Sequence, residues 1–268
     1  MNIVSLLKGW PNGSPLPQPL STILHKVLPL LLDGNNGVRQ QMRRVLEALT
    51  HKGMVDHVKE TLPFVRAGMT HLAIEIRLSS LDMLSWLLEL APQEIVSCAG
   101  GWTKTLGCFL ALLGWQRSPN SEANKWSSNS RVNFGRTSGD SRAQARPLQV
   151  LADFLKAGFN DEIGSDQDQD NPMYSCFPIW HLQHHALPTA SDPYGYLNLY
   201  ASPEKKNEET QMLEDAEARI RFFKEAGIAT VVEENIASMS KEGGEIGRAA
   251  GVLRKIVKGA LHSNDTDR

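Results

Sequence analysis

IEIRLSSLDMLSWLLELAPQEIVSCAGGWTKTLGCFLALLGW, Ile74 to Trp115, decides the fold. Leu78, Leu81, Met83, Leu84, Trp86, Leu87, Leu88 and Leu90 recur at helical spacing and give one broad apolar face. Pro92 suits the first turn of a short helix through Cys98, because its missing N–H would be unpaired there anyway. Gly100-Gly101 then turns the chain, and Trp102–Gly114 reads as the next helix. A face this apolar must bury against neighbours, and the flanking segments carry matching stripes. The run holds no recognisable chemistry. It points to a scaffold that works by presenting a surface.

Working outward, Ser21 is the expected N-cap of a helix through Leu32. Asp33-Gly34-Asn35-Asn36 reads as a turn. Val38, Met42, Val45, Leu46 and Leu49 share a face of the helix after it. A third helix is expected over Met54–Leu72, bent or split by Pro63. Met1–Pro19 is a proline-rich leader. Past Trp115 the composition shifts: Gln116–Ala145 is rich in Ser, Asn, Gly and Arg. Arg117, Lys125, Arg131, Arg136 and Arg142 face only Glu122 and Asp140 there, so the stretch reads as a flexible basic loop. Pro147–Gly158 is a helix closed by Gly158. Asp161–Asp170 is acidic, and Asn171–Pro203 is too rich in proline for helix. Lys205–Ala226, Ile228–Met239 and Glu242–Leu261 complete the helices, with Gly227 a break. The expected organisation is a leader (1–20), a helical-repeat core (21–115), the loop (116–145) and a C-terminal helical region (146–268) with an extended segment at 159–204.

The 268 residues carry a net charge of −2, so no global field draws the chain to nucleic acid or membrane. No apolar run reaches the ~18 residues a membrane helix needs, and no secretory signal is visible. Three cysteines, Cys98, Cys108 and Cys176, form no disulfide framework and suggest a reducing compartment.

The turn-and-helix pattern repeats. Val38-Arg39 opens a helix after Asp33, and Ile76-Arg77 stands 38 positions after that pair. This is close to the ~40–47 residue period of HEAT-type repeats. Asp33 would cap free N–H groups and offset the helix dipole. Each arginine could bridge to the aspartate of an adjacent repeat, making a ladder. The expected fold is all-α, a HEAT/armadillo-like helical repeat (α-solenoid) with long irregular loops; an irregular helical bundle is the alternative.

Candidate chemistry is sparse. Ala99–Thr105 lacks the glycine before lysine and the preceding strand of a phosphate loop. Gly243-Gly244-Glu245-Ile246-Gly247 fails the dinucleotide fingerprint. Cys176, His181, His184 and His185 match no usual zinc spacing. His71 reads as a partner for a buried backbone carbonyl rather than a catalyst. No catalytic residue, cofactor or metal site is assigned. Arg39, Arg66 and Arg77 have two readings, an intramolecular ladder or contacts to a partner or rRNA phosphate. The basic loop is either solvated or in nonspecific contact with rRNA. Gly100, Gly101 and Trp102 form a structural corner, and Trp102 and Trp115 organise the end of the stack.

Three ordered blocks carry a family resemblance. LPLLLDGNNGVRQQMRRVL (Leu28–Leu46), AGMTHLAIEIRLSSLDMLSWLLELAP (Ala67–Pro92) and VSCAGGWTKTLGCFLALLGW (Val96–Trp115) resemble the IPI family of pre-rRNA-processing proteins, relatives of the testis-expressed subunit of the same complex. The resemblance implies a nuclear (nucleoplasmic or nucleolar) HEAT-repeat subunit of the Rix complex, a non-catalytic scaffold. That complex joins the large-subunit precursor, is needed for removal of the second internal transcribed spacer, and helps the AAA-type ATPase midasin act on the particle. The other Rix-complex subunits would be its partners. An adaptor in transport or chromatin is the alternative. The chain departs from the family pattern in three ways. Ile74-Glu75 stands where an aspartate usually precedes Ile-Arg. A proline-rich leader replaces a lysine-rich extension and an earlier repeat, as in a shortened relative or an incomplete gene model. No clear targeting run is visible.

Overall fold

The computed structural model describes residues 18–49, 54–115, 141–160, 212–241 and 243–263, and among them the regular structure is entirely helical. Helix α1 (Leu20–Val27) passes into a 3-10 turn (Leu28–Leu32), then α2 (Asn36–Leu49). A second 3-10 turn (Met54–His57) leads into α3 (Val58–Met69), followed by α4 (Ile74–Leu90), α5 (Pro92–Ser97) and α6 (Gly101–Leu113). Then come α7 (Ser141–Phe159), α8 (Ala216–Glu225), α9 (Ile228–Met239) and α10 (Gly244–Ser263).

Several boundaries differ from the sequence reading, each for a local reason. Pro19, not Ser21, precedes the first turn, and its carbonyl accepts from the amides of Thr22 and Ile23. Pro29 lies at the start of the 3-10 turn, so the helix to Leu32 changes type at Leu28. Met54–His57 also winds as 3-10 rather than α, and α3 ends at Met69 instead of Leu72. Pro63 stays inside α3 without dividing it. Buried Leu62 and Val65 on either side anchor the helix through the missing hydrogen bond. Ser141–Ala145 belong to α7 rather than to the loop. Ala145 is buried, and Arg146 pairs with Asp82 of α4 at 2.7 Å, which holds the turns before Pro147 helical. Gly158 does not end α7, which continues through Phe159. Met212–Asp215, expected as helix, precede α8, which begins at Ala216. The remainder of the leader, the basic loop before Ser141, and the acidic and proline-rich segments lie outside the described residues.

Packing follows two rows. In one, α2 touches α4, α4 touches α7, and α7 lies along α10 in the most extensive helix contact among the described residues. In the other, the 3-10 turn at Leu28–Leu32 touches α3, and α3 touches α6. The long α3–α4 contact joins the rows. A Cβ at Gly68 of α3 would overlap Ser80 of α4, so the two helices meet at backbone distance there. One buried cluster runs from Leu24 to Val257.

Helix α7 shares the organising role with Ile74–Trp115. Leu148, Val150, Leu151, Ala152, Phe154, Leu155 and Ala157 are all buried. A helix apolar around most of its circumference sits at the centre of a fold, and α7 touches α4, α5, α6, α8 and α10.

Candidate functional site

Three helices begin in one way. Arg39, Arg77 and Arg219 are each the fourth residue of α2, α4 and α8. Each is buried, at 3%, 3% and 0% exposure. Side chains on a helix lean toward its N-terminus, so each guanidinium reaches back past the helix start. Arg39 Nη1 donates to the carbonyls of Asp33 (2.7 Å) and Gly34 (3.1 Å). Arg77 Nη1 donates to those of His71 (2.9 Å) and Leu72 (3.0 Å). Arg219 Nη1 donates to those of Leu213 (3.0 Å) and Glu214 (2.7 Å). A cation near a helix N-terminus opposes the dipole, and these charge-assisted bonds offset that cost. The result fastens the incoming turn to the helix it feeds.

The clamps also bind neighbouring elements. Arg39 Nε donates to Ser79 Oγ of α4 at 3.0 Å, and its Nη2 lies 3.7 Å from Glu75. Arg219 Nε donates to the Gly158 carbonyl at 2.7 Å, joining α8 to the end of α7. The expected arginine–aspartate ladder is therefore differently built. The acceptors are mostly carbonyls, and the Asp33 carboxylate accepts instead from the Asn35 amide at 2.7 Å. Asn35 caps α2, its Oδ1 accepting from the Gly37 amide at 2.8 Å. His71 bonds backbone in the opposite sense to that expected, its Nδ1 accepting from the Ala73 amide at 3.0 Å.

The Gly-Gly-Trp corner works through conformation. Gly100 takes φ +66° as the residue before α6, a left-handed geometry that favours glycine. At Gly101 a Cβ would overlap the Ile95 carbonyl. Trp102 is fully buried, stacked on Phe154 with centroids 5.0 Å apart and edge-on to Phe159 at 5.6 Å. It thus packs onto α7, and a Cβ at Gly158 would overlap its ring. Trp115 ends α6 with its amide donating to the Leu110 carbonyl at 2.8 Å, while Gly114 at φ +69° bonds Ala111. This is a Schellman motif. It puts the two tryptophans at opposite ends of α6, whose 13 residues span about 20 Å at 1.5 Å per residue.

Arg66 sits differently from Arg39 and Arg77. Its Nη1 donates to the Gly100 carbonyl at 2.9 Å, tying α3 to the corner, while the side chain borders a groove of about 660 Å³ between α3 and α6. Pro63, Ala67, Gly107, Cys108, Ala111 and Phe222 supply most of its apolar surface, and Thr70, Thr103, Lys104 and Arg66 its polar rim. Burial pushes the Cys108 thiol above its ordinary range, with nearby Arg66 opposing the shift. Burial raises the Cys98 thiol too, against Arg66 and Lys59. Neither thiol is activated as a nucleophile would be. Among the described residues, no group of three His, Cys, Asp or Glu side chains could hold a metal, and no helix is long and apolar enough to cross a membrane. Cys176, His181, His184 and His185 lie outside the described residues.

Sequence reasoning missed Arg219 and the Arg146–Asp82 pair, and it read Gly158 as a helix stop rather than as the seat of the Trp102 ring. Arg219 had a readable signal, an arginine in the fourth place of a helix, but it stands far from the Arg39–Arg77 period. Gly158 carried no signal for its packing role, because that need arises from a ring on another helix.

The corner, the groove and most of α7 fall within a stretch shared with known proteins. The sequence model of a family described as a Rix1 complex component involved in 60S ribosome maturation matches residues 52–155. The pre-rRNA-processing protein ipi1 of Neosartorya fischeri is 42% identical over 257 residues, 94% of this chain and 72% of that protein. The chain belongs to the Ipi1 family of pre-rRNA-processing proteins. Its Aspergillus fumigatus relative is 41% identical over 97% of this chain and 75% of that protein. That of Chaetomium thermophilum is 36% identical over 94% and 72%. The Ipi1 family is one of ribosome-biogenesis factors, not a known enzyme family. Every residue lining the α3–α6 groove except Phe222 lies inside the matched stretch.

Proposed function

We propose that this chain is a non-catalytic scaffold subunit of the Rix complex, acting in removal of the second internal transcribed spacer and so in maturation of the large ribosomal subunit. Its two rows of helices are a HEAT-type stack. The observation that carries this reading is the repeated helix start, in which Arg39 and Arg77, one repeat apart, clamp carbonyls five and six residues upstream. Repeated units that pack onto their neighbours leave long outer surfaces, which suit binding rather than turnover. Family membership supplies the process and the complex.

In this reading the core at 21–115 and the C-terminal region form the stack, in the nucleus. The other Rix-complex subunits bind its outer faces, and midasin is engaged through the particle. Arg39 and Arg77 hold helix starts together, as do Asp33 and His71 in the turns before them. Gly100, Gly101, Trp102 and Trp115 fix the two ends of α6, while Arg66 faces the groove. The basic loop touches rRNA phosphates without reading sequence.

The test is replacement of the gene by a depletable copy. Depletion should accumulate precursor rRNA that retains the second internal transcribed spacer and lower free large subunits on gradients. The tagged chain should recover other Rix-complex subunits and large-subunit precursors. Normal spacer removal, or recovery of transport or chromatin proteins instead, would overturn the proposal.

A further inference from the structure

We propose that the groove between α3 and α6 binds an acidic helical segment of a partner protein. Two apolar side chains of that segment, one turn apart, would rest on Ala67, Gly107 and Ala111, with flanking carboxylates meeting Lys104 and Arg66. This deepens the scaffold reading and rests on it.

Charge argues for the occupant. None of the residues lining the groove is acidic, and two are cationic. Helix α6 carries no carboxylate along its length. Lys59 lies one turn before Pro63 on the same stripe of α3. The acidic residue of α3, Glu60, lies 3.3 Å from His57 Nδ1 and is not among the residues lining the groove. Lys104 is exposed and makes no ion pair among the described residues.

Shape argues for a helix. The floor is built from Pro63, Ala67, Gly107 and Ala111, small or flat residues that let a backbone come close. From Pro63 to Thr70 the groove follows α3 for about two turns, roughly 11 Å at 1.5 Å per residue. That length accommodates side chains at i and i+4 of an amphipathic helix, about 6 Å apart along its axis, with room for a flanking residue at either end. Cys108, half-buried at the edge, reports occupancy.

The test uses the purified full chain with Cys176→Ser and a stapled fluorescent peptide carrying a leucine pair four residues apart among glutamates. Its counter-probe replaces glutamate by lysine. The acidic probe should bind with a Kd of about 10–100 μM and slow alkylation of Cys108. Binding should fall several-fold between about 50 and 300 mM salt. Lys104→Glu and Ala67→Arg, both at exposed positions, should each weaken it roughly tenfold with unchanged melting curves. Equal binding of both probes, no binding at about 0.5 mM, or indifference to both variants overturns the proposal. So does tighter probe binding after the carboxylates of Asp161–Asp170 are neutralised, which would make that segment the occupant. Displacement of the probe by a short RNA of higher affinity overturns it as well. Spacer removal after depletion is unaffected by any of these results, so failure here is separable from failure of the scaffold reading.

Discussion

Helices in this chain start in two ways. Arg39, Arg77 and Arg219 open α2, α4 and α8 by clamping the incoming turn. Gly100, Gly227 and Gly243 open α6, α9 and α10 from positive φ, at +66°, +68° and +74°. The clamp is a buried charge whose donors hold two carbonyls and often a neighbouring helix. The glycine is only a permitted conformation, and the stability at its corner comes from the residues that follow. Deleting an arginine should therefore be costly in itself, whereas altering a corner glycine should cost much less than removing what it positions.

Trp102→Ala should have the largest effect. The ring is fully buried between α6 and α7, and truncating such a residue costs about 3–5 kcal/mol. Urea denaturation of the full chain measures it. A loss under ~1 kcal/mol would mean that the corner's stability lies elsewhere.

Arg219→Ala comes next, at about 3 kcal/mol, because it strands buried acceptors at Leu213 and Gly158 and a half-buried one at Glu214. Arg219→Lys keeps the charge but loses the planar fork and should recover less than half of that. Full recovery by lysine would show that charge alone matters and break the distinction between clamp and corner.

Gly158→Ala should cost roughly 1–3 kcal/mol by overpacking. The added methyl meets the Trp102 ring, which stacked Phe154 leaves little room to move. In a Trp102→Ala background the same change should cost far less, since the obstacle is gone. Additive effects of the two changes would show that the contact is unimportant.

The same contrast explains what could be read from the chain. Helix α4, Ile74–Leu90, was legible because the apolar spacing from Leu78 to Leu90 and the flanking Pro92 are local signals. The Gly100-Gly101 turn was legible because glycine pairs mark corners. Arg39 and Arg77 were legible as a repeat, but their carbonyl acceptors were not, since nothing in a sequence shows where a long side chain ends. Helix α7 was placed too late, at Pro147, because the proline is a strong local signal. The opposing evidence, Ala145 packed in the core and Arg146 on Asp82, is tertiary. The α3–α6 groove was invisible for the same reason: Ala67 and Ala111 become its floor only once the helices lie side by side.

The smallest effect is the sharpest test of the contrast. Gly100→Ala should cost about 1–2 kcal/mol, the strain of one non-glycine residue held at left-handed φ. Gly100→Asn should cost less, because asparagine tolerates that region. The neighbouring Gly101→Ala should cost more than either, since its methyl would overlap the Ile95 carbonyl, a backbone atom that cannot rotate away. All three can be compared with Arg219→Ala by urea denaturation. Should Gly100→Ala match the arginine deletion, the corner would hold energy of its own. Its carbonyl, which accepts the Arg66 guanidinium at 2.9 Å, would be the place to look, because a shifted backbone there would release α3 from α6. Arg66→Ala in the Gly100→Ala background decides this: no further loss means the strain had already broken that bond, while an added loss of about 1 kcal/mol means it had survived.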